Sequence, residues 1–199
     1  MFEKLFRKSQ APLSGPRIQT KLHEISERGA WLHAALASSH WKEAHAFLEK
    51  SRDDSDYPYL IEVASDWPGR PRWFEPWLEA CPDSPIPWLV SGAHLIHWAW
   101  EARGGKRATN VEEDAWPDFF ARLEASMALL ARSAALRPED AMPFSYMIAA
   151  PTGLDATVDE RRQALDEALR RNPEHLPAHF NAVMAFSEKW GGSYDLLFE

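Results

Sequence analysis

The sequence predicts an all-α fold in which antiparallel helix pairs stack into a repeat array. Val, Ile and Thr are scarce while Ala and Leu are abundant, which favours helices over strands. Three connectors also share one layout, in which a Pro-acid step ends a helix and a second proline, four or five residues on, suits the first turn of the next helix. The steps are Pro82-Asp83, Pro138-Glu139 and Pro173-Glu174, followed by Pro87, Pro143 and Pro177.

The spacing of the last two steps supports a repeat. Pro138 and Pro173 are 35 residues apart, close to the period of helix-turn-helix arrays. In the first half of the chain we expect helices at 17–37, 40–51, 56–66, 71–80 and 86–102, separated by connectors rich in Asp, Pro and Gly. Short connectors make successive helices antiparallel neighbours.

The second half carries the strongest helical pattern, over residues 111–136, with Asn110 and Glu113 predicted to cap its start. Thr157 and Glu160 form the same kind of capping box ahead of a later helix, and further helices are expected at 142–150 and 178–189. The apolar positions of the long helix step by three and four: Trp116, Phe119, Phe120, Leu123, Met127, Leu130 and Ala134.

The domain organisation follows from composition. Residues 1–16 are predicted to be a flexible basic tail, and residues 17–199 a single helical domain with a possible subdivision at the Gly-rich loop 104–110. The formal net charge of −8 argues against a nucleic-acid partner, and a basic protein or peptide suits the acidic body better. A single cysteine, Cys81, and the lack of a twenty-residue apolar span favour a cytoplasmic protein. Only Met1–Lys8 is a candidate for membrane contact, and a frayed terminus explains it better.

Three sets of residues carry a resemblance to known families. Trp88-x3-Gly92-x2-Leu95 resembles the first helix of a tetratricopeptide repeat, in which a small residue lets the paired helix approach. Trp98-Ala-Trp-Glu-Ala-Arg-Gly104 and Lys189-Trp-Gly-Gly-Ser193 together resemble an uncharacterised bacterial family, a domain of unknown function with tetratricopeptide-like helices. The resemblance covers about residues 67–193 and implies a right-handed repeat array, with no established chemistry. The resemblance also indicates six candidate partner-binding residues: Trp100, Arg103, Trp190, Gly191, Gly192 and Ser193.

The candidate binding residues follow from helix geometry. Trp98 and Trp100 cannot share a helix face, so one of them is expected to line a groove, and Trp100 is chosen because Arg103 lies one turn away. Arg103 also suits a helix C-terminus before Gly104. Trp73 and Trp77 are expected in the core. The glycines after Trp190 are typical of a sharp turn, and the alternative is that their amides form a binding mouth beside Trp190.

His94, His97 and Glu101 form one helical stripe, a spacing seen in metal sites built on helix bundles. No HExxH motif or cysteine pair supports a metal, so polar residues lining a groove, His97 among them, are the preferred interpretation, and no cofactor is expected. His175 and Glu174 are interpreted as capping residues.

The predicted function is a non-catalytic module that binds a protein or peptide in an aromatic-lined groove. Two alternatives stay open: an immunity-type or regulatory partner that neutralises a toxin, and an enzyme using the His94, His97 and Glu101 stripe. Three connector copies are few for a free-standing array, so oligomerisation is also considered.

Overall fold

The computed structural model describes residues 21–103, 115–154 and 156–198, without the side chains of residues 102, 103, 115, 197 and 198. Over these ranges the chain forms ten α-helices and two 3-10 turns, Leu22–Glu24 and Glu188–Trp190, and no strand. None of these helices is both long and apolar enough to cross a membrane. The helices are α1 (Glu27–Ala37), α2 (Trp41–Lys50), α3 (Tyr57–Ser65), α4 (Phe74–Ala80), α5 (Pro85–Arg103), α6 (Ala115–Leu136), α7 (Met142–Thr152), α8 (Val158–Arg171), α9 (Leu176–Ala185) and α10 (Tyr194–Phe198).

The helices pack in two alternating sets. The odd-numbered helices form one row, in which α1 contacts α3, α3 contacts α5, α5 contacts α7 and α7 contacts α9. The even-numbered helices pack onto that row, with α2 against α1, α3 and α5, α6 between α5 and α7, and α8 between α7 and α9. The α5–α6 pair forms the most extensive of these interfaces. The molecule is thus all-helical and built by packing helices that are near neighbours in sequence.

The three Pro-acid connectors separate helices as predicted. The first lies between α4 and α5, the second between α6 and α7, and the third between α8 and α9. Pro143 and Pro177 occupy the first turns of α7 and α9, where a missing backbone N–H breaks no intrahelical hydrogen bond.

Several predicted helix boundaries need correction. The helix expected at 17–37 begins at Glu27, because the Ser26 hydroxyl accepts a hydrogen bond from Gly29 N at 3.0 Å and caps it there. The helix expected at 178–189 begins at Leu176 and ends at Ala185, where the chain turns so that Gly192 N donates to Ser187 O at 3.1 Å. The helix expected at 142–150 runs on to Thr152.

Some predictions fall outside the described residues. These are the tail 1–16, residues 17–20 of the first expected helix, the loop 104–110 and the Asn110–Glu113 cap. In the described part the long helix begins at Ala115. The capping box of α8 is confirmed, because Glu160 N donates to the Thr157 hydroxyl at 3.2 Å and Thr157 N donates to the Glu160 carboxylate at 2.8 Å.

Two apolar clusters hold the helices together. The larger one extends from α1 to α7 and includes Trp73 and Trp77, as predicted from the sequence. Gly92 permits a close contact between α5 and α6, since a Cβ at this position would lie 2.8 Å from Leu130 Cγ on α6. The smaller cluster joins α7, α8 and α9 and has mostly alanine at its centre: Ile148, Ala168, Ala178 and Ala185.

Candidate functional site

Trp100 and Trp190, nominated separately from the sequence, are brought together by the fold. Their ring centroids lie 5.4 Å apart at an interplanar angle of 77°, and the Trp100 ring also packs edge-on against Phe119 at 5.1 Å. Both indoles are half-buried. Arg103 is the last residue of α5, and its side chain lies outside the described part of the structure. The indole pair therefore joins the end of α5 to the turn that follows α9.

The residues after Trp190 have clear backbone roles. Gly191 has a φ of 77°, a conformation that glycine adopts without steric cost, and it ends the 3-10 turn. A Cβ on Gly192 would overlap the carbonyl of Phe186. The Ser193 hydroxyl accepts a hydrogen bond from Leu196 N at 3.2 Å. The backbone carbonyl of Trp190 accepts a hydrogen bond from Arg161 Nη1 at 3.0 Å.

The His94, His97 and Glu101 stripe does not converge on one point. The buried His94 ring places Nδ1 3.0 Å from the backbone carbonyl of Ser65, and burial lowers its pKa to about 4. His97 pairs with Glu62, and Glu101 is exposed to solvent. Across the described ranges no three His, Cys, Asp or Glu side chains are grouped to hold a metal ion.

His97 belongs instead to a polar group that links three helices. His97 Nε2 on α5 lies 3.1 Å from Glu62 Oε2 on α3, and the Tyr146 hydroxyl on α7 donates to Glu62 Oε1 at 2.6 Å. Burial alone would lower the pKa of His97, but the Glu62 carboxylate beside its Nε2 raises it above the usual value. Burial likewise opposes the charge on Glu62, yet its partners bring its pKa below the usual value. The Glu62–His97 pair therefore favours its charged form.

A polar cleft of about 710 Å³ lies where three connectors meet. Its volume falls in the range of small-ligand and side-chain pockets. One wall comes from the end of α2 and the connector to α3, and the other from the second and third Pro-acid connectors with the start of α9. The lining includes Glu49, Arg52, Asp53, Asp54, Tyr57, Arg137, Glu139, Asp140, Arg171, Glu174, His175 and Leu176.

The arginines of this cleft are already used in structural contacts. Arg52 pairs with Glu49, and Arg137 Nε lies 3.4 Å from Glu139 Oε1. Arg171 pairs with a carboxylate of α8 outside the cleft, and its guanidinium lies 3.8 Å from a ring centroid on α7.

The cleft is lined by more carboxylates than arginines. Asp54 Oδ2 is 2.7 Å from Arg28, whereas Asp53, Asp140 and Glu174 form no ion pair with any described residue. Burial raises the pKa of Asp140, and one of its oxygens accepts a hydrogen bond from Met142 N at 2.8 Å. The charge not neutralised inside the cleft is negative.

Buried polar atoms without partners lie in the wall of the same cleft. His175 is only 6% exposed, and its Nε2 atom has no hydrogen-bond partner. It occupies the N-cap position of α9, but its side chain makes no capping hydrogen bond, which corrects the capping role predicted for it. Burial lowers its pKa to about 4, with the neighbouring His179 adding to the shift, so the ring is neutral at pH 7. Nε of Arg52 is also buried and without a partner.

Helix α9 has an unusual distribution of side chains. Its buried face consists of alanines, Ala178, Ala182 and Ala185, whereas its large apolar residues face solvent. The exposed residues lie at i, i+4, i+7 and i+8 and so share one face of the helix. They are Leu176 at 75% exposure, Phe180 at 66%, Val183 at 57% and Met184 at 52%, here called the α9 face.

Neither the cleft nor the α9 face was identified from the sequence. The spacing of Leu176, Phe180 and Val183 is visible in the sequence, but periodicity predicts an apolar face without showing whether another helix covers it. The cleft left no local pattern, because its walls come from segments more than a hundred residues apart, such as Asp53 and Glu174.

Comparison with known proteins identifies one matching family model. A family model described as a domain of unknown function, DUF4034, matches residues 26–157, about two thirds of the chain. No curated protein and no solved structure matches the sequence. The matched range includes α1 to α7 and ends before α8 and α9, so the α9 face lies outside it.

Proposed function

This chain belongs to the DUF4034 family, and we propose that it is a non-catalytic module that binds a protein or peptide through a tetratricopeptide-like helical array. The continuous row of odd-numbered helices with even-numbered helices packed onto it supports the array. Stacked helix pairs present extended surfaces with many side chains available for recognition. Five helices in the row are consistent with more stacked pairs than the three connectors alone indicate.

The α9 face is the observation that carries the proposal. Burying a side chain the size of Leu or Phe contributes about 1.5–3 kcal/mol, so a helix that buries alanine and exposes Phe180 and Leu176 leaves much apolar stabilisation unused. Contiguous apolar patches of this kind mark interaction sites. A partner that presents its own apolar segment would bury Leu176, Phe180, Val183 and Met184 together.

The test is a pull-down from lysate of the native host with the full chain as bait. We compare wild type with a Phe180→Ser/Met184→Ser variant and with Ile25→Ser, which removes an exposed apolar residue elsewhere. A partner recovered by wild type and Ile25→Ser, and reduced about tenfold or more with the α9 variant, is the expected result. Equal recovery by all three baits would contradict the proposal.

Two further measurements make that comparison decisive. Thermal unfolding should show that the α9 variant is as stable as wild type, because both substituted side chains are more than half exposed. A Trp100→Ala bait tests the aromatic groove expected from the sequence as the alternative surface. Light scattering on wild type shows whether a second copy of the chain is the partner.

A further inference from the structure

We propose that the polar cleft at the connectors binds a basic peptide segment, with a lysine or arginine side chain held among Asp53, Asp140 and Glu174. This site deepens the protein-binding function proposed above and rests on it. It is a different surface from the α9 face, although Leu176 belongs to both. The two surfaces can therefore be tested separately.

The first argument is charge. Arg52, Arg137 and Arg171 form ion pairs with other carboxylates, so Asp53, Asp140 and Glu174 have no ion-pair partner among the described residues. Arg52 and Arg171 act on the charge of Asp140 only from a greater distance. Asp140 is the most enclosed of the three, and a partly desolvated carboxylate gains most from a cation placed beside it. A lysine or arginine side chain supplies that charge at the end of a thin aliphatic stem that a cleft can enclose.

The second argument is the pair of buried polar atoms without partners. Leaving such an atom unsatisfied destabilises the folded state, and a ligand that satisfies it recovers that loss. His175 Nε2 is neutral at pH 7 and, in one tautomer, accepts a hydrogen bond from an ammonium or guanidinium group. Nε of Arg52 is a donor and requires an acceptor, which a peptide supplies through a backbone carbonyl and a simple polyamine does not.

The third argument is continuity with the α9 face. Leu176 and Pro177 line the cleft, and Leu176 is also the first residue of the exposed apolar stripe. A segment with a basic residue followed by apolar residues would therefore occupy the cleft and the α9 face in succession. In such a segment the basic residue would fix the register, because it must reach the carboxylates of the cleft. The apolar residues would supply most of the affinity by covering the α9 face.

The experiment is a fluorescence-anisotropy titration of the full chain with a labelled, end-blocked Gly-Lys-Arg-Lys-Gly peptide at low ionic strength. The cleft variant is Asp140→Asn/Glu174→Gln, and Asp140→Asn keeps an oxygen for the hydrogen bond from Met142 N. The control, Glu79→Gln/Glu124→Gln, removes two exposed carboxylates outside the cleft. We expect the cleft variant to bind about tenfold more weakly and the control within about twofold of wild type.

Three results would overturn the proposal. A peptide with Gln in place of its basic residues could bind equally well, the control could lose as much affinity as the cleft variant, or spermidine could displace the peptide at equal concentration. The last result would assign the cleft to a free organic cation. The Phe180→Ser/Met184→Ser variant should bind the basic peptide like wild type, so a failed titration leaves the pull-down test of the α9 face unaffected.

Discussion

The close packing of α5 against α6 leaves no room for a side chain at Gly92. Gly92 faces Leu130, whose Cγ and backbone nitrogen would lie 2.8 and 3.3 Å from an added Cβ. At an open helix position, replacing glycine by alanine stabilises a protein by about 1 kcal/mol. Here we expect Gly92→Ala to destabilise by about 1–3 kcal/mol, because the buried Leu130 side chain must move in a packed core.

Urea unfolding measures this change directly. A Leu130→Ala background provides the matched control, since it removes the two side-chain atoms closest to the new Cβ and leaves only the backbone nitrogen at 3.3 Å. In that background Gly92→Ala should cost much less or become stabilising. An unchanged penalty in both backgrounds would mean that the glycine is required for another reason.

His94 gives the stability of the fold a predictable dependence on pH. Its pKa falls from 6.5 to about 4 on folding because the ring is buried, so the unfolded chain binds the proton more tightly. The free energy of unfolding therefore keeps its full value above pH 6.5 and decreases as the pH falls from 6.5 toward 4. The shift corresponds to about 3 kcal/mol at 1.36 kcal/mol per pKa unit.

The measurement is the free energy of unfolding of wild type and His94→Gln from pH 7 to pH 4.5. We expect the wild-type curve to fall more steeply, by about 2 kcal/mol over this range. His97 acts in the opposite sense, because its raised pKa stabilises the fold below pH 6.5 and this stabilisation is lost as the pH rises. The lowered pKa of its partner Glu62 acts in the same sense as His94, since the stabilisation from Glu62 is lost as the pH falls through the acidic range. Parallel curves for wild type and His94→Gln would contradict the assignment.

At the scale of the element, α8 depends on the capping box at its start. Thr157 and Glu160 satisfy backbone N–H groups that a helix cannot pair internally. We expect Thr157→Ala to cost about 1 kcal/mol in urea unfolding. Glu160→Gln keeps an acceptor at the right position and should cost less. An equal loss from both substitutions would contradict this expectation, since it would show that the charge of Glu160 contributes as much as the hydrogen bonds of the Thr157 hydroxyl.

The sequence predicted the elements well where their signals are local. The Pro-acid steps and the Thr157 box depend on neighbouring residues only, and the helices around them lie within a few residues of their predicted bounds. The helix predicted to extend to residue 189 ends at Ala185 because of a tertiary contact. Phe186 is buried and the chain folds back until Gly192 touches its carbonyl, a contact that helix propensity does not encode.

At the scale of the whole molecule, the sequence could indicate single site residues but not the contacts between them. Trp100 and Trp190 were selected as single residues, and their contact could be known only once α5 and the final turn were placed together. The histidines of the stripe contact another helix, α3, through Ser65 and Glu62, and these contacts could not be read from the spacing of His94 and His97. The cleft depends on three connectors meeting, so no local pattern in the sequence could have predicted it.

The two apolar clusters predict that stability is uneven along the array. The larger cluster buries large side chains from α1 to α7, whereas the fully buried residues that α8 and α9 place in the smaller cluster are alanines. The larger side chains of Leu165 and Leu169 are only partly buried against it. Regions with little buried apolar surface open at lower free energy than the global transition. We therefore expect backbone amides of α9 to exchange with deuterium at least about tenfold faster than those of α5 under native conditions.

The result can be separated from simple end fraying. Amides in the middle of α8 are the matched comparison, because they are in the second cluster but away from the last turn of the chain. If α8 and α9 open together, both should exchange at similar rates and respond alike to low urea. Protection of α9 equal to that of α5 would contradict the prediction, since it would require the alanine-based contacts to be as stabilising as the main core. A partner that covers the α9 face should slow this exchange, because it adds the large apolar contacts that α9 does not make within its own chain.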